Sequence, residues 1–255
     1  MYRFFVPEEN VAGDRIYITG DDVNHVRNVL RMKQGDEVVV SCGRGTDYEC
    51  VIENIEPEQI QLEIVKEQPA ITELPVKIIL FQALPKKDKM DWIVQKAVEL
   101  GVAEIVPVST RRCVVKWDDK KAGKKRQRWE AIAKAAAKQS GRGRIPKIMD
   151  IMNMEEALVY AKDLDSVLIP YELCEDMAES VAHMNRAVQS KSVGVFIGPE
   201  GGFERGEVEV AMKMGAASIS LGKRILRTET AGMTVLSILM FLIEAQDGGQ
   251  SGVLS

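Results

Sequence analysis

Cysteine and histidine are scarce in this chain of 255 residues, which has four cysteines and two histidines. No two cysteines form a CxxC pair, so the ligand spacing of a zinc ribbon or zinc finger is absent. A Ser-His catalytic triad is also disfavoured, because only His25 and His183 could serve it. Scattered free thiols are typical of a reducing compartment. We therefore expect a cytoplasmic protein without a metal centre.

Long apolar segments are also missing. The N-terminal sequence MYRFFVPEEN lacks the apolar core of a secretory signal. The longest nearly apolar run, Ala231–Ile243, has 13 residues, whereas a membrane-spanning helix needs about 20. We expect this run to form a buried or interfacial helix, and we expect no membrane partner.

The net charge of −4 conceals an uneven distribution of charge. Between Arg111 and Lys147 the chain has fourteen lysines and arginines but three acids, and the other 218 residues carry a net −15. A local basic patch on an acidic protein favours contact with a polyanion. A solvated helix face is the alternative, but Arg142 and Arg144 lie among glycines, where no helix face requires them.

Periodicity and composition divide the chain into segments. Short strands separated by turns in residues 1–70 predict a small β-barrel. Residues 71–75 are a predicted linker, at the end of a stretch that contains two prolines. Strands alternate with helices in residues 76–246, which predicts an α/β domain with a parallel sheet. The glycine- and serine-rich residues 247–255 are a predicted flexible tail.

Three loops in the second half of the chain follow predicted strands. They are Ile197–Phe203, with the sequence IGPEGGF, then Leu221-Gly222, and Ile225–Ala231, with the sequence ILRTETA. Ligands of open α/β sheets bind at the carboxyl ends of strands, and glycines there allow close approach of the backbone. The usual nucleotide motifs, a P-loop or a GxGxxG after a strand, are absent, as is a GxSxG elbow.

Taken together, these loops resemble the ribosomal small subunit RNA methyltransferase E family, the 16S rRNA uridine N3 methyltransferases of the SPOUT class. The resemblance extends over nearly the whole chain. Lys138 departs from it, because an acid is expected before Gln139-Ser140. The other matching segments are Arg3-Phe4-Phe5, His25, Val29-Leu30-Arg31, Lys86, Asp88-Lys89, Lys96, Glu99-Leu100-Gly101, Arg128-Trp129 and Gln139-Ser140-Gly141-Arg142.

The resemblance implies a fold, a cofactor and a reaction. The fold is α/β, with a C-terminal SPOUT-type parallel sheet that contains a deep trefoil knot and an N-terminal PUA-like β-barrel. The cofactor is S-adenosyl-L-methionine, and the protein is a homodimer. The substrate is 16S rRNA, within the assembled small ribosomal subunit. The reaction is attack of uracil N3 on the methyl group, which gives 3-methyluridine.

The resemblance also implies a set of site residues. Arg227 is the candidate for contact with the substrate or its oxyanion, and Glu229 for accepting a proton or orienting Arg227. A structural ion pair between these two residues is the alternative. The residues predicted to hold the cofactor are Gly198, Pro199, Glu200, Gly201, Leu221, Gly222, Ile225, Leu226, Thr230 and Ala231.

Eight basic residues are candidates for contact with RNA phosphates, whose affinity for such cations falls with salt. Trp129 could stack on a base, but a tryptophan beside apolar residues on a helix favours a core position. The RNA candidates are Arg3, Arg31, Lys86, Lys89, Arg111, Arg112, Arg142 and Arg144.

Two other functions remain open. An enzyme of the same class could methylate a ribose 2′-hydroxyl instead of the base, although the predicted barrel, Arg128-Trp129 and Gln139-Ser140 favour the uridine N3 family. A non-catalytic RNA-binding or assembly protein could keep the fold, although the intact glycine loops and the motif from Leu226 to Ala231 argue against it.

Overall fold

The computed structural model describes residues 1–115 and 119–251. The chain divides into two compact units. The first unit is Met1–Glu73 with Ala137–Ile145, and the second is Leu74–Ala136 with Pro146–Ser255. The break after Glu73 falls inside the predicted linker, residues 71–75. The short piece Ala137–Ile145, which we call the return segment, was predicted within the second domain and instead belongs to the first unit.

The first unit contains a six-stranded sheet. Its strands are β1 (Tyr2–Phe5), β2 (Val11–Ala12), β3 (Arg15–Thr19), β4 (Glu37–Ser41), β5 (Thr46–Ile55) and β6 (Gln59–Pro69). The strand order is β1-β4-β5-β6-β3-β2, and only β1 and β4 pair in parallel. This hydrogen-bonded path has β1 at one end and the two-residue β2 at the other.

Alternation along the strands builds the core of this unit. Ile16 and Ile18 of β3 are buried, as are Val38 and Val40 of β4, and all four belong to one apolar cluster. Successive side chains of a strand point to opposite faces, so residues two apart share the buried face. Each such burial contributes about 1.5–3 kcal/mol relative to exposure.

A short helix follows β3 and begins without a side-chain cap. The helix α1 (Asp21–Asn24) has Gly20 as its N-cap residue, without a side-chain capping bond. The two aspartates lie in the first turn, where negative charge interacts favourably with the helix dipole. A π-helical turn, His25–Val29, continues the helix.

The return segment is held to the strands of the first unit through Gly143. The carbonyl of Gly143 accepts hydrogen bonds from the Ser41 hydroxyl at 2.8 Å and the Gly45 amide at 3.1 Å. A Cβ atom at Gly143 would lie 2.2 Å from the Cβ of Ala70, closer than any real contact. The glycine is therefore required for this approach of the two backbones.

The second unit contains a parallel sheet of seven strands. They are β7 (Lys77–Ala83), β8 (Glu104–Ser109), β9 (Lys147–Ile148), β10 (Met152–Asn153), β11 (Ser166–Pro170), β12 (Ser192–Ile197) and β13 (Ala217–Ile219). The main order is β10-β8-β7-β12-β11-β13, and β9 also pairs with β8. All pairings are parallel, which confirms the predicted parallel α/β sheet.

Helices connect these strands. They are α2 (Lys89–Glu99), α3 (Asp119–Gln139), α4 (Met154–Ala161), α5 (Met177–Ala187), α6 (Arg205–Lys213) and α7 (Thr228–Ser251). The sequence analysis did not predict α5. Its buried residues are Ser180, Met184 and Ala187, while Met177 and Val181 are exposed. The buried face therefore combines a serine, a methionine and an alanine, while two apolar side chains lie outside it.

The last helix, α7, is longer than its apolar run. It continues to Ser251, so the predicted flexible tail, residues 247–255, begins inside the helical backbone, and residues 252–255 lie outside the described residues. The apolar run of 13 residues was too short to cross a membrane. The longer helical span Thr228–Gln246 is long and apolar enough to do so, by length and composition. One third of that span is buried within the chain. A core helix of a globular protein meets the same criterion.

Candidate active site

Two loops of the second unit follow strands at the carboxyl edge of its sheet. The strands β7 and β12 are neighbours, with Gln82 opposite Ile197 near their carboxyl ends. The loop after β12 carries the predicted cofactor residues Gly198–Gly201, and we call residues 198–202 the glycine loop. The loop after β13 leads to the first turn of α7. Crevices at this edge are the usual ligand sites of such sheets.

A buried hydrogen-bond chain joins the glycine loop to α7. The hydroxyl of Thr228 donates to the carbonyl of Gly198 at 2.6 Å and accepts from Gln82 Nε2 at 2.9 Å. Both Thr228 and Gln82 are buried. Gln82 also donates to the carbonyl of Ala83 at 2.9 Å, whereas its Oε1 has no hydrogen-bond partner among the described residues. Gln82 was not predicted as a site residue, because an isolated glutamine at the end of an apolar strand matches no motif.

A charged cluster joins the same two segments nearer to the surface. The ammonium of Lys89 lies 3.1 Å from Glu200 Oε1 and 3.1 Å from Glu229 Oε2. The backbone amide of Lys86 also donates to Glu200 Oε1, at 3.1 Å. Lys89 was predicted to contact RNA, and it instead connects a predicted cofactor residue with a predicted catalytic residue.

The protonation of this cluster follows from its contacts. Burial raises the pKa of Glu200, but hydrogen bonds from its own amide, from Lys89 and from the Lys86 amide outweigh that effect and hold the pKa below its ordinary value. Burial lowers the pKa of Lys89, but its two carboxylate partners outweigh it and raise the pKa. Glu200 and Lys89 are therefore both charged at neutral pH.

Arginines that follow β8 also contact the glycine loop and the segment after it. Arg112 donates to the carbonyl of Gly201 at 2.8 Å. The neighbouring Arg111 donates from its side chain to Glu204 at 3.3 Å and from its backbone amide to Glu207 at 3.0 Å. Both arginine side chains remain exposed. These two predicted RNA residues therefore lie at the same edge of the sheet as the predicted cofactor residues.

The loop between β13 and α7 presents positive charge. Ile225 is 92% exposed, and Lys223, Arg224 and Arg227 are exposed as well. Within the described residues none of these three cations forms an ion pair with a carboxylate. In particular, Glu229 pairs with Lys89 and not with Arg227, which argues against a structural pair of Arg227 and Glu229. Lys223 and Arg224 had not been predicted as site residues, although they directly precede the ILRTETA motif.

The other predicted cofactor residues line this loop and the start of α7. Gly222 has a φ of +98°, a backbone conformation that favours glycine. Leu221, Leu226 and Ala231 are half-buried, Thr230 is exposed, and the Arg227 carbonyl accepts a helical hydrogen bond from the Ala231 amide. Pro199 is buried in the glycine loop, and its carbonyl accepts from the Gly202 amide at 2.9 Å.

Two predicted RNA residues of the first unit are engaged with acids. Arg142 is 3% exposed and donates to Glu73 through Nε at 3.2 Å and Nη2 at 2.7 Å. Arg3 forms a bidentate pair with Asp47, with Nη2 donating to Oδ2 at 2.7 Å. These contacts favour a structural role for both guanidinium groups.

The remaining two RNA candidates of the first unit, Arg31 and Arg144, are exposed. Arg31 also has a φ of +54°, in the left-handed region. The Arg144 side chain lies over Gly45, where a Cβ atom would meet its Nε at 2.5 Å. Both side chains are placed where phosphate could reach them.

Two further positions from the sequence analysis have clear partners. Lys138 donates to both carboxylate oxygens of Asp22, at 2.8 and 2.9 Å. The lysine that departs from the family pattern therefore has an acidic partner within the first unit. Trp129 is buried and donates to Asp91 at 3.1 Å, which confirms the core position. Among the side chains that the structure describes, no cluster of three or more histidines, cysteines or acids could hold a metal ion.

Comparison with known proteins gives matches over nearly the whole chain. A family profile described as an RNA methyltransferase domain matches residues 72–240, and one described as an RNA methyltransferase PUA domain matches residues 18–65. The Ribosomal RNA small subunit methyltransferase E of Bacillus subtilis (strain 168) is 36% identical, over 98% of this chain and 100% of that protein. The protein of the same name from Aquifex aeolicus (strain VF5) is 33% identical, over 94% and 99%.

Solved structures of related proteins are similar as well. A Ribosomal RNA small subunit methyltransferase E from Neisseria gonorrhoeae, bound to S-adenosyl methionine, matches with a TM-score of 0.81 and 32% identity, over 95% of this chain and 98% of that chain. A methyltransferase from Legionella pneumophila, in complex with the bound cofactor SAM, matches with a TM-score of 0.80 and 34% identity, over 94% and 97%.

The parallel sheet, the loops at its carboxyl edge and the PUA domain define an RNA methyltransferase. Within that class, the chain belongs to the ribosomal RNA small subunit methyltransferase E family, as its sequence motifs had indicated.

Proposed function

We propose that this protein transfers the methyl group of S-adenosyl-L-methionine to N3 of a uracil in 16S rRNA, which gives 3-methyluridine. The observation that carries the proposal is the convergence of the glycine loop, the exposed Arg227 and the first turn of α7 at one edge of the sheet. The names of the relatives support rRNA as substrate, and the two solved relatives with bound cofactor support the methyl donor.

The residues at this edge fit the cofactor. Half-buried Leu221 and Leu226 and the exposed Ile225 offer apolar surface to an adenine ring. A Cβ atom at Gly201 would already contact the Arg112 side chain at 3.6 Å, so a larger side chain would fill the space beside it. The backbone groups of these loops would hold the cofactor, together with Gly198, Pro199, Glu200, Gly222, Thr230 and Ala231. The cofactor supplies an electrophilic methyl group when bound.

The side chains at this edge would act on the uracil. The base must leave its pairing partner before N3 is accessible. The charged guanidinium of Arg227 would stabilise the negative charge that develops on O2 or O4 as N3 loses its proton. Glu229 Oε2 is bound to Lys89, whereas Oε1 has no hydrogen-bond partner among the described residues. Oε1 is the atom that would accept the proton or orient Arg227.

The RNA would contact exposed cations of both units. In the second unit these are Lys86, Arg111, Arg112, Lys223 and Arg224, and in the first they are Arg31 and Arg144. We propose that the RNA is presented by the assembled small ribosomal subunit in the cytoplasm, as the family resemblance implies.

Nucleoside mass spectrometry tests the reaction. Small ribosomal subunits that lack the modification, and naked 16S rRNA, are incubated with the protein and labelled cofactor. We expect 3-methyluridine, formed faster on assembled subunits. A labelled 2′-O-methylribose would contradict the proposed atom, and absence of any methylated nucleoside would support a non-catalytic RNA-binding protein.

Calorimetric titration tests the cofactor site. We expect Gly201→Trp to abolish binding of S-adenosyl-L-methionine, because the added side chain fills the space beside Arg112. Gly206→Trp is the matched control, since a Cβ atom at Gly206 meets no atom within 4 Å. Equal binding by both variants would place the cofactor elsewhere.

We propose that the protein is a homodimer whose interface includes α7. Phe241 is largely exposed, and only one third of the apolar span of this helix is buried within the chain. An apolar helix that its own chain leaves uncovered fits an interface between two copies. We expect Phe241→Glu to shift the mass in light scattering from dimer to monomer. A parent protein that is monomeric at micromolar concentration would contradict the proposal.

We also propose that residues 198–227 contribute to a deep trefoil knot, as in the SPOUT class. The resemblance to that class supports this proposal, and Thr228 contacts Gly198, 30 residues earlier in the chain. An experimental structure whose backbone straightens completely when its ends are pulled apart would exclude the knot.

A further inference from the structure

Lys89 occupies a position that helix stability does not explain. It is the first residue of α2, and a cation in the first turn interacts unfavourably with the helix dipole. Its side chain is 29% exposed, and the Glu200 and Glu229 side chains are 26% and 19% exposed. The lysine is therefore partly withdrawn from solvent, and two carboxylates determine where its ammonium lies.

The two carboxylates belong to different elements. Glu200 lies in the glycine loop, and Glu229 lies in the first turn of α7. Each has an oxygen 3.1 Å from the same nitrogen, so removing the ammonium would leave two like charges close together and unscreened by a cation. The backbone amide of Lys86 adds a third element to the cluster through Glu200.

We propose that Lys89 is a positioning residue, whose ammonium holds the glycine loop against the first turn of α7 and does not bind RNA phosphate. It acts through Glu200 on the cofactor site and through Glu229 on the site of methyl transfer. This inference rests on the proposed function, and it replaces the RNA contact that the sequence suggested for Lys89. The buried bonds from Thr228 join the same two segments, so loss of Lys89 loosens the site without unfolding it.

Substitution by methionine, which keeps the length of the side chain, tests the charge. We expect Lys89→Met to raise the dissociation constant of S-adenosyl-L-methionine at least about tenfold, the range for loss of a charge-assisted contact. Lys89→Arg should restore affinity to within about threefold of the parent, because a guanidinium can bind two carboxylates. Lys96→Met is the matched control, since Lys96 lies on the same helix, has similar exposure and, within the described part of the chain, pairs only with Glu99.

A second variant separates positioning from a merely structural role. In Lys89→Met with Glu200→Gln, the repulsion between the two carboxylates is gone, and we expect tighter cofactor binding than in Lys89→Met alone. A destabilised fold would instead worsen with the second substitution. The salt dependence of RNA affinity should stay at the parent value in Lys89→Met, because no phosphate contact is lost.

The outcomes distinguish this inference from the proposed function. If the parent protein binds no S-adenosyl-L-methionine, the proposed function fails. If the parent binds it and Lys89→Met binds equally well, or if Lys89→Met lowers the salt dependence of RNA binding, the positioning role of Lys89 is overturned.

Discussion

Two glycine-containing loops of this protein carry arginines and use them in opposite ways. In the return segment, Arg142 is buried and its guanidinium binds Glu73. In the loop before α7, Arg227 and its neighbours Lys223 and Arg224 are exposed, without an ion pair among the described residues. The difference lies in the acids that the fold brings near each loop. A basic residue in a motif is therefore available to RNA where the fold leaves it exposed, and not where the fold buries it against a carboxylate.

The largest effect is expected from the buried arginine. Arg142→Ala leaves Glu73 without its cationic partner in a largely buried position, and we expect a loss of about 3 kcal/mol in the free energy of unfolding. Urea unfolding measures it. Arg144→Ala, two residues away and exposed, is the control and should change stability by less than about 0.5 kcal/mol. If Arg142→Ala leaves the unfolding midpoint unchanged and weakens RNA binding, then Arg142 contacts RNA and does not stabilise the fold.

The opposite behaviour is expected at Arg227. Arg227→Ala removes the group proposed to stabilise the oxyanion, so methyl transfer should slow about 100-fold. Cofactor affinity and the unfolding midpoint should remain close to the parent values, because the side chain is exposed. Single-turnover kinetics and calorimetry measure the two quantities. Equal losses of rate and cofactor affinity would rule out a role specific to the reacting base.

A smaller effect should follow from the neighbours of Arg227. Lys223→Ala and Arg224→Ala should each reduce the slope of log affinity for RNA against log salt by about 1, as expected for one phosphate contact. Filter binding of rRNA fragments across a salt series measures the slope. Lys213→Ala, an exposed lysine at the end of α6, provides the comparison and should leave the slope unchanged.

The smallest effect concerns the pH dependence of the Lys89 cluster. Since the folded protein lowers the pKa of Glu200 from its ordinary value of 4.5, ionised Glu200 contributes stability above that pH. The contribution is lost as the pH falls through the lowered pKa. We expect the difference in urea midpoint between the parent and Glu200→Gln to be constant from pH 7 to pH 5 and to shrink at lower pH. A difference that grows on acidification would contradict this assignment.

Local patterns predicted much of the second unit. Apolar strands at β7 and β12 and the apolar run in α7 follow directly from the order of the residues, and the glycine loop follows from its motif. The helix α5 was not predicted, although its apolar residues recur with a helical period. The length of α7 was underestimated because helical backbone continues beyond the apolar residues.

Partners that are distant in the sequence were not predictable. Arg3 and Asp47 are 44 residues apart, and Arg142 and Glu73 are 69 apart. Neither pair could be recognised from the local sequence, so Arg3 and Arg142 were candidates for RNA contact although the fold pairs each of them with an acid. The same holds for Lys89, whose partners Glu200 and Glu229 are more than a hundred residues away.

The return segment also affects how the chain can be divided. Residues 137–145 complete the first unit, and Gly143 is closely fitted against Ala70 and hydrogen-bonded to Ser41 and Gly45. During synthesis, the ribosome must therefore translate most of the first half of the second unit before the first unit has all of its residues. Likewise, proteolysis at the linker alone would separate residues 1–73 from residues 137–145, which belong to the same unit. Recombination of genes at that point would transfer the first unit without its return segment.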